Sequence, residues 1–255
     1  MDVRGFLIDI DGVLVVGGKP VEGAVRTLET LKERGYAFRC VSNSTRRSRA
    51  ALAAQLEEWG FAIPTAMIYT PPSAAIAHIL LSGRRRCHLI STGDIDSEFE
   101  RAGIPLSDSE VDFVIIGDAG DRFTFSALNR AFRLLLAGAD LLALERDQYW
   151  MGAGGLMLAA GPFVAALEYA TGKTALVMGK PSPRFFAMAL ADMGLSAGEA
   201  AMIGDDVVTD IGGAKKCGMQ GILVRTGKFR PETLKTAPVQ PDFVIGSFAR
   251  LDTLL

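Results

Sequence analysis

"FLIDIDGVLVVGG", residues 6–18, sets Asp9 and Asp11 inside an otherwise apolar run and follows the second with Gly12. The run before them reads as a buried strand over 6–10, since a short apolar stretch closed by a turn signal is a strand core. A carboxylate taken out of water costs several kcal/mol unless it is paired or binds a metal. Either the strand ends here and the acids face solvent, or they are placed for chemistry. The rest of the chain has to decide.

Outward from that strand, short apolar runs alternate with longer helical patterns. Helices are expected over 24–34 and 48–59, stopped by Gly35 and Gly60, with a strand over 37–41 between them. Toward the other end the pattern gives a helix over 184–193, a strand over 201–203 and a helix over 211–217. Strands over 222–224 and 243–245 and a short helix after Ser247 complete it. Alternation of this kind implies an α/β fold, a Rossmann-like doubly wound parallel sheet covered on both faces.

The middle of the chain has its own alternation: helix 74–81, strands 88–90 and 113–116, helix 126–137, strand 141–144 and helix 162–170. Pro71-Pro72 and the Lys180-Pro181-Ser182-Pro183 segment are the expected crossing points. The expected organisation is a discontinuous core domain over 1–72 and 177–255, with an α/β domain inserted over 73–176.

Composition excludes several classes of partner. Lys and Arg number 27 against 29 Asp and Glu, a net charge of −2, which offers no electrostatic footprint for nucleic acid or an anionic membrane. Cys40, Cys87 and Cys217 are far apart in sequence and form no C-x-x-C pair, so buried thiols in a reduced cytoplasmic compartment are expected. Asp9 and Asp11 interrupt the first apolar run, which is no signal-peptide core. The uncharged window 148–167 holds Gly152, Gly154, Gly155, Gly161 and Pro162. It reads as a glycine-rich segment and a helix from near Pro162 to Gly172, not as a membrane span.

In an open parallel sheet, ligands sit beyond the carboxyl ends of the strands. Four polar clusters follow apolar runs there: Asp9-Ile10-Asp11-Gly12, Ser42-Asn43-Ser44-Thr45, Gly179-Lys180-Pro181, and Gly204-Asp205-Asp206 with Asp210 beyond it. Each alone has an ordinary structural reading as a turn, a helix cap, a surface lysine or a helix start. Together they do not. Carboxylates converging at neighbouring strand ends repel one another without a cation, and Mg²⁺ commonly takes one or two carboxylates plus substrate phosphate. Lys180 and the Ser42 hydroxyl supply the charge and the donor that a phosphoryl group needs. One acid can then attack phosphorus while a second moves the proton.

This constellation resembles the haloacid dehalogenase-like hydrolase superfamily, in its phosphatase branch. D-I-D-G-V-L at 9–14 looks like its first motif, S-N-S-T at 42–45 its second, Lys180 its third and G-D-D-V-V-T-D at 204–210 its fourth. The large insertion between the second and third motifs looks like a type II cap. "GILVRTGKFR" (221–230), "LNRAFRLLLAGADLLAL" (128–144) and "GPFVAALEYATG" (161–172) are similar to the phospholysine phosphohistidine inorganic pyrophosphate phosphatase group and its uncharacterised sister proteins. The resemblance implies a Mg²⁺-dependent phosphatase. Asp9 is then the nucleophile that forms an aspartyl-phosphate, and Asp11 the general acid/base whose main-chain carbonyl also meets the metal. Asp205 completes the metal ligands with Asp9, and Asp206 and Asp210 hold metal-bound water or the loop. Ser42, Asn43 and Lys180 hold the transferring phosphoryl group.

The expected partner is a small phosphorylated substrate, neither nucleic acid nor membrane, with a homodimer left open. A phosphotransferase or phosphomutase shares both aspartates and stands as an alternative, as does a catalytically silent phosphate-binding regulator. The cap sets specificity in such an architecture, which points to "ERDQYWMGAGG" (145–155), with Asp147, Tyr149 and Trp150 as candidates. Packing of the cap by Tyr149 and Trp150 is the competing reading. The T-N-P-D stretch of related nucleotide and p-nitrophenyl phosphatases is absent at this point. Arg46, Arg47 and Arg49 are read as the start of a solvated helix, Arg84-Arg85-Arg86 as a solvated turn, and His78 and His88 as incidental. Leu128, Phe132 and Leu135 lie at helical spacing and read as core.

Overall fold

The structure is a computed structural model that describes residues 3–152 and 154–255. The chain divides into two compact units. One holds the described residues up to Ser42 with Arg49–Tyr69 and Lys180–Leu255; the other holds Asn43–Ser48 and Thr70–Gly179.

The first unit is built on a six-stranded parallel sheet. From edge to edge it runs Phe243–Ile245, Gln220–Val224, Ala200–Gly204, Gly5–Asp9, Ala37–Val41 and Ile68–Tyr69. Gly5–Asp9 lies inside, with Phe6 opposite Ala201 on one side and Phe38 on the other. All five of its residues are buried, which is why the sequence there is a continuous apolar run with no alternation. Phe6, Ile8, Leu28, Leu31, Leu52, Leu56, Phe61 and Phe248 close the core on one face. Each such side chain contributes about 1.5–3 kcal/mol by leaving water.

Parallel pairing brings the carboxyl ends of these strands to one edge of the sheet. Asp9 is the last residue of its strand, Asp205 follows the last residue of Ala200–Gly204, and Ser42 follows Ala37–Val41. Beyond Asp9 the backbone amides of Leu14 and Val15 bond to the Ile10 carbonyl, 3.0 and 3.1 Å away. That turn leads into a short hairpin, Val15–Val16 with Lys19–Pro20.

The helix expected over 211–217 begins differently. A wide π-type turn, Val207–Ile211, precedes a short α-helix, Gly212–Lys216. Asp206 caps it, its Oδ1 accepting from the amides of Val208 and Thr209 at 2.8 and 3.0 Å.

The second unit has a four-stranded parallel sheet in the order Leu176–Val177, Asp140–Ala143, Phe113–Ile116 and Cys87–Ile90. Helices Phe125–Leu136 and Gly161–Thr171 bury Ala131, Leu135, Val164 and Leu167 against Val114, Ile116, Leu141 and Ala143. Leu128 and Phe132 pack on that cluster partly buried.

Three local elements add to the expected pattern. Pro71 and Pro72 open the helix Pro71–Ser82, with Thr70 as its cap in a capping box with Ser73. Proline is tolerated in a first turn because its missing N–H would have had no partner. The helix Asp96–Arg101, which buries Phe99, is too short to show a helical period. In the glycine-rich stretch, Tyr149–Gly152 pairs antiparallel with Gly155–Leu158.

Cys40 and Cys87 are buried free thiols, and Cys217 is a half-buried one. Among the described residues no helix is long and apolar enough to cross a membrane.

Candidate active site

Asp9, Asp205 and Asp210 converge in the first unit, with one carboxylate oxygen of each within 4.8 Å of the others, and all three are buried. Lys180 lies among them, only 4 % exposed. Its ammonium donates to Asp9 Oδ1 at 2.6 Å and to Asp210 Oδ1 at 2.7 Å. The other oxygen of Asp210 accepts from the Asp206 amide at 3.2 Å.

Burial works against every charge in this cluster. It pushes the Asp9 carboxyl well above the usual range; Lys180 opposes that, while Asp210 and Asp205 add to it. Asp205 is raised to about 6, again by burial first, against the Lys228 amide that favours its ionised form. Burial also disfavours the Lys180 charge, but Asp210 and Asp9 outweigh it and raise the ammonium above its ordinary value. When all three carboxylates are ionised, they carry two negative charges more than Lys180 balances. Oxygen donors with that excess suit a hard divalent cation.

Backbone packing fixes Asp205. Its Oδ2 accepts from the Lys228 amide at 2.6 Å. Gly12 and Gly227, both at positive φ (92° and 60°), come so close that a Cβ on either would fall within 2.0 Å of that oxygen. The Thr226 hydroxyl donates to the Gly12 carbonyl, tying the 226–228 turn to the loop after Asp9. Lys228, Gly227 and Thr226 were visible beforehand only as part of "GILVRTGKFR". Positive φ at a glycine leaves no mark in one sequence.

The other expected site residues are distributed unevenly. Asp11 is exposed, two residues beyond Asp9. Asp206 is half-buried and acts as the helix cap, whereas Asp210 turns inward to Lys180. Ser42 is buried, its amide donating to the Tyr69 carbonyl at 3.1 Å. Asn43 belongs to the second unit, where a Cβ on Gly179 would meet its Oδ1 at 3.0 Å.

Asp147, Tyr149 and Trp150 all lie in the second unit and are exposed, Tyr149 by 58 % and Trp150 by 37 %. They sit on or just before the hairpin Tyr149–Gly152 and Gly155–Leu158. The buried Glu145 holds its neck, accepting from the Asp147 amide at 2.5 Å and the Ala160 amide at 2.7 Å. The arginines after Ser44 do not form one solvated face: the helix starts at Arg49, and Arg46 makes a two-pronged pair with Asp118. His88 is buried, its Nδ1 within 3.1 Å of the Ser107 carbonyl.

Comparison with known proteins agrees with this geometry. A family model described as haloacid dehalogenase-like hydrolase matches residues 6–105, and a HAD-hydrolase-like model matches 177–251. The human phospholysine phosphohistidine inorganic pyrophosphate phosphatase is 40 % identical over 259 aligned residues, spanning 99 % of this chain and 94 % of that protein. The bovine haloacid dehalogenase-like hydrolase domain-containing protein 2 is 40 % identical over 89 % of this chain and 86 % of its own. Among solved structures, the p-nitrophenyl phosphatase from Archaeoglobus fulgidus superposes with a TM-score of 0.92 at 27 % identity, covering all of both chains. NagD from E. coli K-12 gives 0.88 at 26 % identity over 98 % of each chain.

Proposed function

The chain belongs to the haloacid dehalogenase-like hydrolase family, among its phosphatases, and we propose that it hydrolyses a small phosphorylated substrate through an aspartyl-phosphate on Asp9. The observation that carries this reading is the buried cluster of Asp9, Asp205 and Asp210 around Lys180. Asp9 and Asp205, with the main-chain carbonyl of Asp11, would hold Mg²⁺, and the ion would supply charge stabilisation for the transferring phosphoryl group.

In the first step a carboxylate oxygen of Asp9 attacks phosphorus and the bond to the leaving oxygen or nitrogen breaks. Lys180 donates to Asp9 Oδ1 and so orients the nucleophile. Asp11, exposed and two residues on, protonates the leaving group. In the second step Asp11 takes a proton from water as it attacks phosphorus, which frees phosphate and restores Asp9. Ser42 and Asn43 donate to the phosphoryl oxygens. Asp210 keeps Lys180 charged and in place, and Asp206 organises the turn that presents Asp205.

The second unit acts as the cap that selects the substrate, with Asp147, Tyr149 and Trp150 as its contacts. Phospholysine, phosphohistidine and pyrophosphate, named for the human relative, are the first substrates to test. A small soluble substrate in the cytoplasm suits the near-neutral charge and the free thiols.

The two aspartates of the first motif test the reading. Asp9→Asn should show neither turnover nor adduct. Asp11→Asn loses proton transfer, worth ~10²–10⁴ in rate, but a good leaving group needs little protonation. It should release a stoichiometric burst of p-nitrophenol from p-nitrophenyl phosphate and leave a phosphate adduct on Asp9, visible by mass spectrometry. Absence of both burst and adduct would refute the proposed division of roles.

A further inference from the structure

The segment after Ser42 is held by the second unit far more firmly than a solvated arginine cluster would be. Arg46 Nε and Nη2 each bond one oxygen of Asp118 at 2.9 Å, a fork-to-fork pair. Asp118 is itself fixed: its amide donates to Thr45 Oγ1 at 3.1 Å, and its Oδ1 also accepts from the Gly120 amide at 3.1 Å. On the main chain, the Arg46 carbonyl accepts from the Asp94 amide at 3.1 Å. Gly93, at φ 84°, lies so close that a Cβ there would sit 1.7 Å from that carbonyl oxygen. Ser48 donates through its amide and hydroxyl to the two oxygens of Asp94, at 2.7 and 2.6 Å.

With its guanidinium locked on one edge, Arg46 sets its Cζ over the indole ring of Trp150, 5.1 Å from the ring centroid. A guanidinium over the face of a tryptophan is a favourable cation–π geometry. The indole needs such support. Trp150 lies on a two-stranded hairpin and remains 37 % exposed. Two strands alone are marginal in water.

We infer that Arg46, clamped by Asp118, is a positioning residue that fixes the orientation of Trp150 and thereby the selectivity of the cap. This rests on the reading of the hairpin as the specificity element. Arg46 stands four positions after Ser42, so the chain that carries the phosphate-binding motif also carries the support for the specificity side chain.

The chain has two tryptophans, Trp59 and Trp150, so Trp59→Phe leaves Trp150 as a single reporter. In that background, Arg46→Ala should raise the acrylamide quenching constant of Trp150 about twofold and add a fast depolarisation component. Exposed cation–π contacts correspond to roughly a 2–5-fold effect, which is the rise expected in KM for the bulkiest phosphate ester turned over in a panel. The change in kcat should be smaller. Asp118→Asn and Arg46→Lys, which lose the fork while keeping a polar or charged group, should move the quenching in the same direction by less. Unchanged quenching and depolarisation in all three variants, with the circular dichroism of the parent retained, would overturn the assignment. If the emission responds but Trp150→Ala leaves selectivity unaltered, the positioning stands and the hairpin's role in specificity falls.

Discussion

Gly12→Ala should damage the acidic cluster without touching a single acid. An alanine Cβ at this position would lie 1.8 Å from Asp205 Oδ2 and 2.3 Å from its Cγ. Both contacts are far inside van der Waals distance, so the carboxylate must move. Moving it breaks the 2.6 Å bond from the Lys228 amide, a hydrogen bond to a charged group worth about 1.5–3 kcal/mol. Alanine at the positive φ of 92° costs about 1–2 kcal/mol more. The two effects together give about 2.5–5 kcal/mol.

Gly17→Ala is the control. Gly17 has a φ of 58° but nothing within 4 Å of its Cβ position, so it pays only the backbone cost of about 1–2 kcal/mol. Urea denaturation of the two variants without Mg²⁺, read at constant m, measures the difference. If Asp205 holds Mg²⁺ as proposed, a Mg²⁺ titration of p-nitrophenyl phosphate turnover should show a raised metal requirement for Gly12→Ala alone. Equal midpoints for the two variants would refute the claim that Gly12 exists to let Asp205 approach.

Lys180→Met removes the buried cation from Asp9 and Asp210, and breaking a buried pair in this way costs about 3–5 kcal/mol. The loss in thermal stability should be largest above neutral pH and shrink in acid, where the carboxylates protonate; a pH-independent loss would mean that Lys180 acts by packing alone. Glu145 is raised from 4.5 to about 7 by burial, against the amides of Ala160 and Asp147 that favour its charge. Its folded form therefore binds the extra proton between those values, so its stabilising contribution is complete below about 4.5 and is lost as pH rises through about 7. Glu145→Gln should flatten that part of the stability profile in urea denaturation, and an unchanged slope would assign the titration to another group.

The fold was legible where residues obey one period over a long enough run. Strands at 37–41 and 243–245 were expected at their observed bounds, because short apolar runs, broken only by Arg39, stand between turn-forming residues. Helix Ala24–Glu33 was legible from Leu28 and Leu31 and from the glycine that stops it. Elements of one or two turns were not: Asp96–Arg101 and Ile68–Tyr69 are shorter than any period can reveal. In the hairpin after Gln148, glycines interrupt the strand pattern. Its pairing is set by backbone geometry that composition does not carry.

At the site, Asp9, Asp205 and Asp210 lie together with Lys180 while Asp11 stays exposed and Asn43 belongs to the second unit, and how the four pair was not legible. Asp9 and Asp205 converge because neighbouring parallel strands deliver their carboxyl ends to one edge, whereas Lys180 and Asp210 reach them from segments outside that sheet. Pairing depends on the path of each loop. Asp206 and Asp210 are four apart, which on an α-helix would set them on one face. The wide turn Val207–Ile211 separates them instead, leaving Asp206 to cap the amides of Val208 and Thr209 while Asp210 faces Lys180. Lys180 thus meets two carboxylates before any phosphate arrives. An ammonium shared between Asp9 and Asp210 cannot by itself balance three ionised acids. With all three ionised, the two charges left over match one divalent ion, so the proposed metal site depends on Asp210 as well as on Asp9 and Asp205.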